Sequence, residues 1–142
     1  MVDIWDRFAE AMTNLLAGKK GLVIGVANDK SIAWGIAKVL AENGASLAFT
    51  YQGDSFGKRV IPLAESLGSN LVFNVDVQNS ESLDLVFSKI QNEWGSMDFL
   101  VHAVAFSEKS ELSGRLINTS RDNFIKSMEI SCYSLIDLSR RS

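Results

Sequence analysis

Very little in this sequence can hold a metal or close a disulfide. Cys132 is the only cysteine, His102 the only histidine and Pro62 the only proline among 142 residues. A lone cysteine forms no internal disulfide, and one cysteine with one histidine builds no zinc cage, so no metal site is expected. Cys132 itself reads as a small core residue. A basic excess is missing too: the formal net charge is −3, which removes the electrostatic footprint of a nucleic-acid binder. No apolar run approaches the length of a membrane span. Asp3, Asp6, Arg7 and Glu10 interrupt any secretory apolar region at the start. With 46% hydrophobic and 22% charged residues, the expectation is an ordinary globular domain, cytoplasmic, with neither nucleic acid nor membrane as partner.

The apolar spacing divides the chain. Ile4, Trp5, Phe8, Met12, Leu15 and Leu16 recur at three and four, predicting an amphipathic helical extension over residues 1–17 that Gly18 stops. From residue 18 to 142 the pattern switches between strands and helices. Strands are predicted at Leu22–Val26, Ser46–Tyr51, Leu71–Asp76 and from Met97 to about His102. Helices are predicted from Ser31, over 55–67, over Ser80–Trp94 and from Thr119 to Arg141. Pro62 is awkward in the second helix unless it falls in its first turns. Strands that alternate with helices through short connections make an α/β, Rossmann-type doubly wound parallel sheet. The expected order is 3-2-1-4, with ligands bound at the switch point beside strands 1 and 4.

The first strand-to-helix turn is the centre of this pattern. Leu22, Val23, Ile24 and Val26 are followed by Gly25, a polar Asn28-Asp29-Lys30 loop and Ser31, a plausible N-cap. Ile32, Ile36, Val39 and Leu40 then fall on one helical face, and Gly35 would let that helix approach a strand closely. A strand that turns directly into a helix N-terminus directs backbone N–H groups and a positive dipole end at one spot, which suits a pyrophosphate. The middle glycine of G-x-G-x-x-G is missing, however, and the loop is longer than usual. A phosphate cradle and a plain βα turn both remain open from these residues alone.

Three further positions fall at the same edge of the sheet. Gln52 follows the second strand, where a ribose hydroxyl is commonly met; a neutral amide there mildly favours NAD over NADP. Asp76 follows the third, as a turn residue or as an acceptor for an exocyclic amine. His102 ends the fourth, either as an acid or base or as a satisfied strand-end histidine. Phe106 to Ile117 reads as a loop over the crevice mouth.

The run from Gly25 through Asn28-Asp29-Lys30-Ser31-Ile32-Ala33 to Ala37 closely resembles the nucleotide loop of the bacterial NADH-dependent enoyl-acyl-carrier-protein reductases, a branch of the short-chain dehydrogenase/reductase superfamily. The likeness continues through Leu47–Gln52, Asp76-Val77, Asp98–His102 and Ile130–Ser134, covering nearly everything from Gly18 to Ser142. It implies a fatty acid biosynthesis enzyme that reduces a trans-2-enoyl thioester on acyl carrier protein with NADH, and a homotetramer. By position, Gly25, Ser31 and Ile32 would hold the pyrophosphate and adjoining ribose, with Gln52 on the adenosine side. Asp76 and Val77 would bracket the adenine, Val104 and Ala105 would line the inner ribose, and Ser107 would stand beside the acyl substrate. Ala105 replaces the family's usual glycine. The family's Tyr-x6-Lys catalytic segment is absent: Tyr51 and Lys58 match its spacing by accident, on the adenosine side. No catalytic residue is therefore expected in these residues, which look like the N-terminal part of a reductase domain whose C-terminal part is absent. A non-catalytic NAD-binding half-domain and another member of the superfamily are the alternatives.

Overall fold

The computed structural model describes residues 14–142. Four strands, β1 (Lys20–Ile24), β2 (Ser46–Tyr51), β3 (Val72–Asn74) and β4 (Phe99–His102), form one parallel sheet in the order β3-β2-β1-β4. Helices α1 (Ile32–Glu42), α2 (Asp54–Ser66) and α3 (Ser80–Trp94) connect them in turn. After β4 come two short 3-10 turns, then α4 (Arg121–Met128), a five-residue π turn (Glu129–Tyr133) and α5 (Ser134–Arg141). The doubly wound architecture and strand order are those the alternating pattern implies. Most of the helical extension expected over 1–17 lies outside the described residues. Residues 14–17 form turns, and the Leu16 N–H donates to the Asn43 carbonyl at the end of α1.

The sheet is covered on both faces because successive strand residues point oppositely. Val23 and Phe49 pack with Ala33, Trp34 and Ala37 of α1 and Val60 and Ala64 of α2. Leu22, Ile24 and Ala48 meet Leu83, Val86 and Ile90 of α3 and Leu138 of α5 on the other face. Each fully buried large side chain among these contributes about 1.5–3 kcal/mol relative to exposure.

Several local expectations are corrected. Of the expected stripe Ile32, Ile36, Val39 and Leu40, only Leu40 packs against the core; the other three face outward, with Ile32 81% exposed, while Ala33, Trp34 and Ala37 face the sheet. Small residues on the inner face let α1 sit close to β1 and β2. Gly35 takes no part in that approach, since a Cβ there would meet only open space. Pro62 lies well inside α2 rather than in its first turns. It is exposed, so the carbonyl left without its helical donor can be solvated. Cys132 is exposed rather than buried. The long terminal helix is broken by the π turn, and its cap is Ser120, whose hydroxyl accepts from the Asn123 N–H. Of the apolar residues along it only Ile130 and Leu138 are buried; Phe124, Ile125, Met128, Leu135 and Ile136 are exposed.

Candidate functional site

All four strands end at one edge of the sheet, and the loops that leave them enclose a cleft of about 320 Å³. Gly25 follows β1, Gln52 follows β2, Val75–Gln78 follow β3 and Ala103–Phe106 follow β4. The first and last of these segments approach each other closely. Gly25 has φ +109°, and a Cβ there would overlap the Ala103 carbonyl. The Ala103 N–H also donates to the Ile24 carbonyl at 3.0 Å. Glycine is required at this point for both its backbone conformation and its lack of a side chain.

The long loop after Gly25 is held by its own side chains. Ser31 Oγ accepts from the N–H groups of Ala27 (3.0 Å) and Asn28 (3.1 Å), and Asn28 Oδ1 accepts from the Lys30 N–H (2.8 Å). Ser31 occupies the N-cap position of α1 in an extended conformation, but its hydroxyl points back into the loop instead of capping. The Trp34 and Gly35 N–H groups close on the Ser31 carbonyl. Those of Ile32 and Ala33 have no acceptor within the helix, so the start of α1 presents donors and a positive dipole end.

Six of the nine residues singled out from the sequence line the cleft together: Gly25, Gln52, Asp76, Val77, Val104 and Ala105. Ser31 and Ile32 form the helix start beside it and are not in its wall. Ser107 lies outside the lining: its hydroxyl accepts from Asn123 Nδ2 at 3.1 Å, and the Glu108 N–H donates to Asn123 Oδ1 at 2.8 Å. Asn123, itself buried, thus staples the loop after β4 to α4. Asp76 Oδ1 accepts from the Gln78 N–H at 2.9 Å, ordering its own turn. The Gly53 N–H donates to Asn74 Oδ1 at 2.9 Å and ties the loops after β2 and β3.

Phe106, which opens the loop expected over the crevice mouth, also lines the cleft; sequence reasoning missed Phe56, Lys126 and Ile130, which line it too. Phe56 lies in the first turn of α2, where a helix leaving the sheet edge must face the opening; that position was a usable signal. Lys126 Nζ pairs with Glu108 Oε1 at 2.7 Å and stands 4.7 Å from the centre of the Phe106 ring. No spacing in the sequence brings a residue of α4 to a loop twenty positions earlier.

His102 is a satisfied strand-end histidine. Its Nε2 lies 2.7 Å from Ser134 Oγ, on the α5 side of the sheet. Burial holds its pKa below the ordinary imidazole value, which favours the neutral ring. Among the described residues no cluster of histidine, cysteine, aspartate or glutamate could hold a metal ion, and no helix is long and apolar enough to cross a membrane.

The enoyl-(acyl carrier protein) reductase family model matches residues 25–142. The enoyl-acyl-carrier-protein reductase (NADH) 1 of Rhizobium meliloti is 52% identical over 130 residues, covering 92% of this chain and 48% of that protein. The crystal structure of FabI from Candidatus Liberibacter asiaticus superposes with a TM-score of 0.89 at 54% identity, over 92% of this chain and 50% of that one. The enoyl-(acyl-carrier-protein) reductase of Anaplasma phagocytophilum, solved in complex with NAD, gives 0.86 at 56% identity, over 89% and 48% respectively. The chain spans about half the length of the relatives it matches. With the family model running from the cleft glycine to the last residue, this chain belongs to the enoyl-(acyl carrier protein) reductase family.

Proposed function

We propose that this chain is the NADH-binding part of an enoyl-acyl-carrier-protein reductase of fatty acid synthesis, within a single nucleotide-binding domain. The observation that carries this reading is the cleft at the β1–β4 switch point, closed by Gly25 against Ala103 and flanked by the start of α1. Its donor set fits a dinucleotide. Backbone N–H groups at the start of α1 suit a pyrophosphate, and Gln52 offers an amide without charge at the end of β2. Asp76 and Val77 supply one acceptor and one apolar surface at the end of β3, while Val104 and Ala105 supply a small-residue wall after β4. The relative from Anaplasma phagocytophilum carries NAD in its solved complex.

NADH, when bound, supplies the hydride that adds to the β-carbon of a trans-2-enoyl thioester. The residues of this chain bind and orient the dinucleotide and keep water from its apolar walls. None of them fills the proton-handling role, because the Tyr-x6-Lys segment is not among these residues. Acyl carrier protein as substrate carrier, a cytoplasmic location and a homotetramer belong to the same proposal. The outward apolar residues Ile125, Met128, Leu135 and Ile136 on α4 and α5 support association. The test is a calorimetric titration of the folded chain with NADH. Saturable one-to-one binding, weakened by Gly25→Ala, is expected. A folded chain that takes up no NADH would overturn the reading.

A further inference from the structure

His102 ends β4 one residue before the cleft lining begins, yet its ring turns to the opposite side, where Leu100 also points. The Ser134 hydroxyl it meets donates its single proton to the Ile130 carbonyl at 2.7 Å. With that proton on the Ile130 carbonyl, the Ser134 oxygen is free to accept from His102 in the Nε2–H tautomer, and this pairing completes the hydrogen-bond chain. Both bonds close on the π turn Glu129–Tyr133 from behind. A π turn widens the helix locally, and such turns are frequent at functional sites.

This one serves the cleft in two ways. It carries the buried Ile130 into the lining, and it places Ser131 Oγ where it accepts the Phe106 N–H at 3.0 Å. Phe106 lines the cleft in its turn and carries Lys126 over its ring. On the same π turn, Glu129 accepts from Gln78 Nε2 at 3.0 Å, so the turn joins the loops that follow β3 and β4.

We propose that His102 is a positioning residue for the cleft wall: through Ser134 it holds the π turn in the register that sets Ile130 and Phe106. The proposal rests on the NADH reading for its functional consequence, and on the hydrogen-bond chain alone for its structural one. A histidine that merely filled space would be replaced without loss by an apolar side chain of similar size. One that positions the wall needs its donor.

The test compares His102→Leu, His102→Gln and Ser134→Ala in this chain by amide hydrogen exchange and by NADH titration. His102→Leu is expected to speed exchange at the Phe106 N–H and to weaken NADH by about fivefold, the size of one net hydrogen bond. His102→Gln, whose Nε2–H can replace the lost donor, restores both to within about twofold of the parent. Ser134→Ala reproduces the leucine variant, and combining the two adds nothing further. Unchanged Phe106 exchange in His102→Leu, or a glutamine variant no better than leucine, overturns the proposal. If His102→Leu fails to fold, the glutamine and alanine variants still decide it. A parent chain that binds no NADH yet shows the Phe106 pattern sinks the cofactor reading and leaves the positioning intact.

Discussion

Gly25→Ala separates two costs that meet at one atom. The first is conformational: φ +109° lies outside the basins an L-residue occupies comfortably, costing about 1–2 kcal/mol. The second is steric, because the new methyl would overlap the Ala103 carbonyl, a backbone group that cannot rotate away. Moving the end of β1 or β4 to admit it is overpacking, worth about 1–3 kcal/mol. Together these predict about 2–5 kcal/mol, against a typical domain stability of about 5–15. Gly68→Ala is the control: Gly68 has φ +76° and open space around a Cβ, so it carries the conformational cost alone. Urea unfolding of both variants, followed by far-ultraviolet circular dichroism, reads the difference directly. Gly25→Ala should lose at least about 1 kcal/mol more than Gly68→Ala and bind NADH at least tenfold more weakly, with Gly68→Ala binding as the parent does. Equal losses, or parental NADH affinity in Gly25→Ala, would refute both the contact and its place in the site.

Ser31→Ala removes the acceptor of the Ala27 and Asn28 N–H groups and should cost about 1–2 kcal/mol. Faster amide exchange confined to residues 27 and 28 is the check. Leu138→Ala, at the fully buried anchor of α5, should cost about 2–5 kcal/mol and release the amides of that helix first; a smaller loss would show that the site collapses freely. Stability should also depend on His102. Because the folded state holds the neutral ring, its pKa is below the unfolded value of 6.5. The unfolded chain therefore binds more protons as pH falls, and the contribution, complete above that value, is lost as pH drops through the folded pKa. Melting curves between about pH 7.5 and 5.5 should fall more steeply for the parent than for His102→Gln; parallel curves would contradict the burial. Cys132, being exposed, should react with a thiol reagent in the native chain nearly as fast as in urea.

The strand order was legible because each strand is a short apolar run: in a doubly wound sheet the first two connections step to a neighbouring strand, and the third carries the chain back past β2 to the free side of β1. The facing of α1 was not. Ile32, Ile36 and Val39 make one stripe at helical spacing; Ala33, Trp34, Ala37, Leu40 and Ala41 make a second, and periodicity alone cannot rank two apolar stripes. Packing ranks them: the helix lies on Val23 and Phe49, and alanines admit the close approach that isoleucines would prevent. Pro62 misled for a similar reason, since the rule against proline inside a helix assumes that the freed carbonyl is buried, and here the position is exposed.

Within the cleft the division follows from what each residue contributes. Gly25, Gln52, Asp76, Val77, Val104 and Ala105 all sit directly after strand ends, so finding the strands was enough to bring them together. Ile130 and Lys126 reach the same space from a helix that begins far along the chain, and Phe106, although it follows β4, is tied by its N–H to Ser131 of a π turn whose only marks in the sequence are ordinary serines. Ser134 looks like any polar residue on a helix until His102 is known to be opposite it; Ser131 looks exposed until the Phe106 N–H is known to need an acceptor. A hydroxyl that satisfies one donor and one carbonyl at once can be recognised only from the fold that creates both demands. The wall made after β4 is thus set by tertiary hydrogen bonds rather than by local sequence. Changes that remove the hydrogen bond, His102→Leu or Ser134→Ala, should accordingly disturb the cleft more than Val104→Ala, whose loss is apolar surface alone.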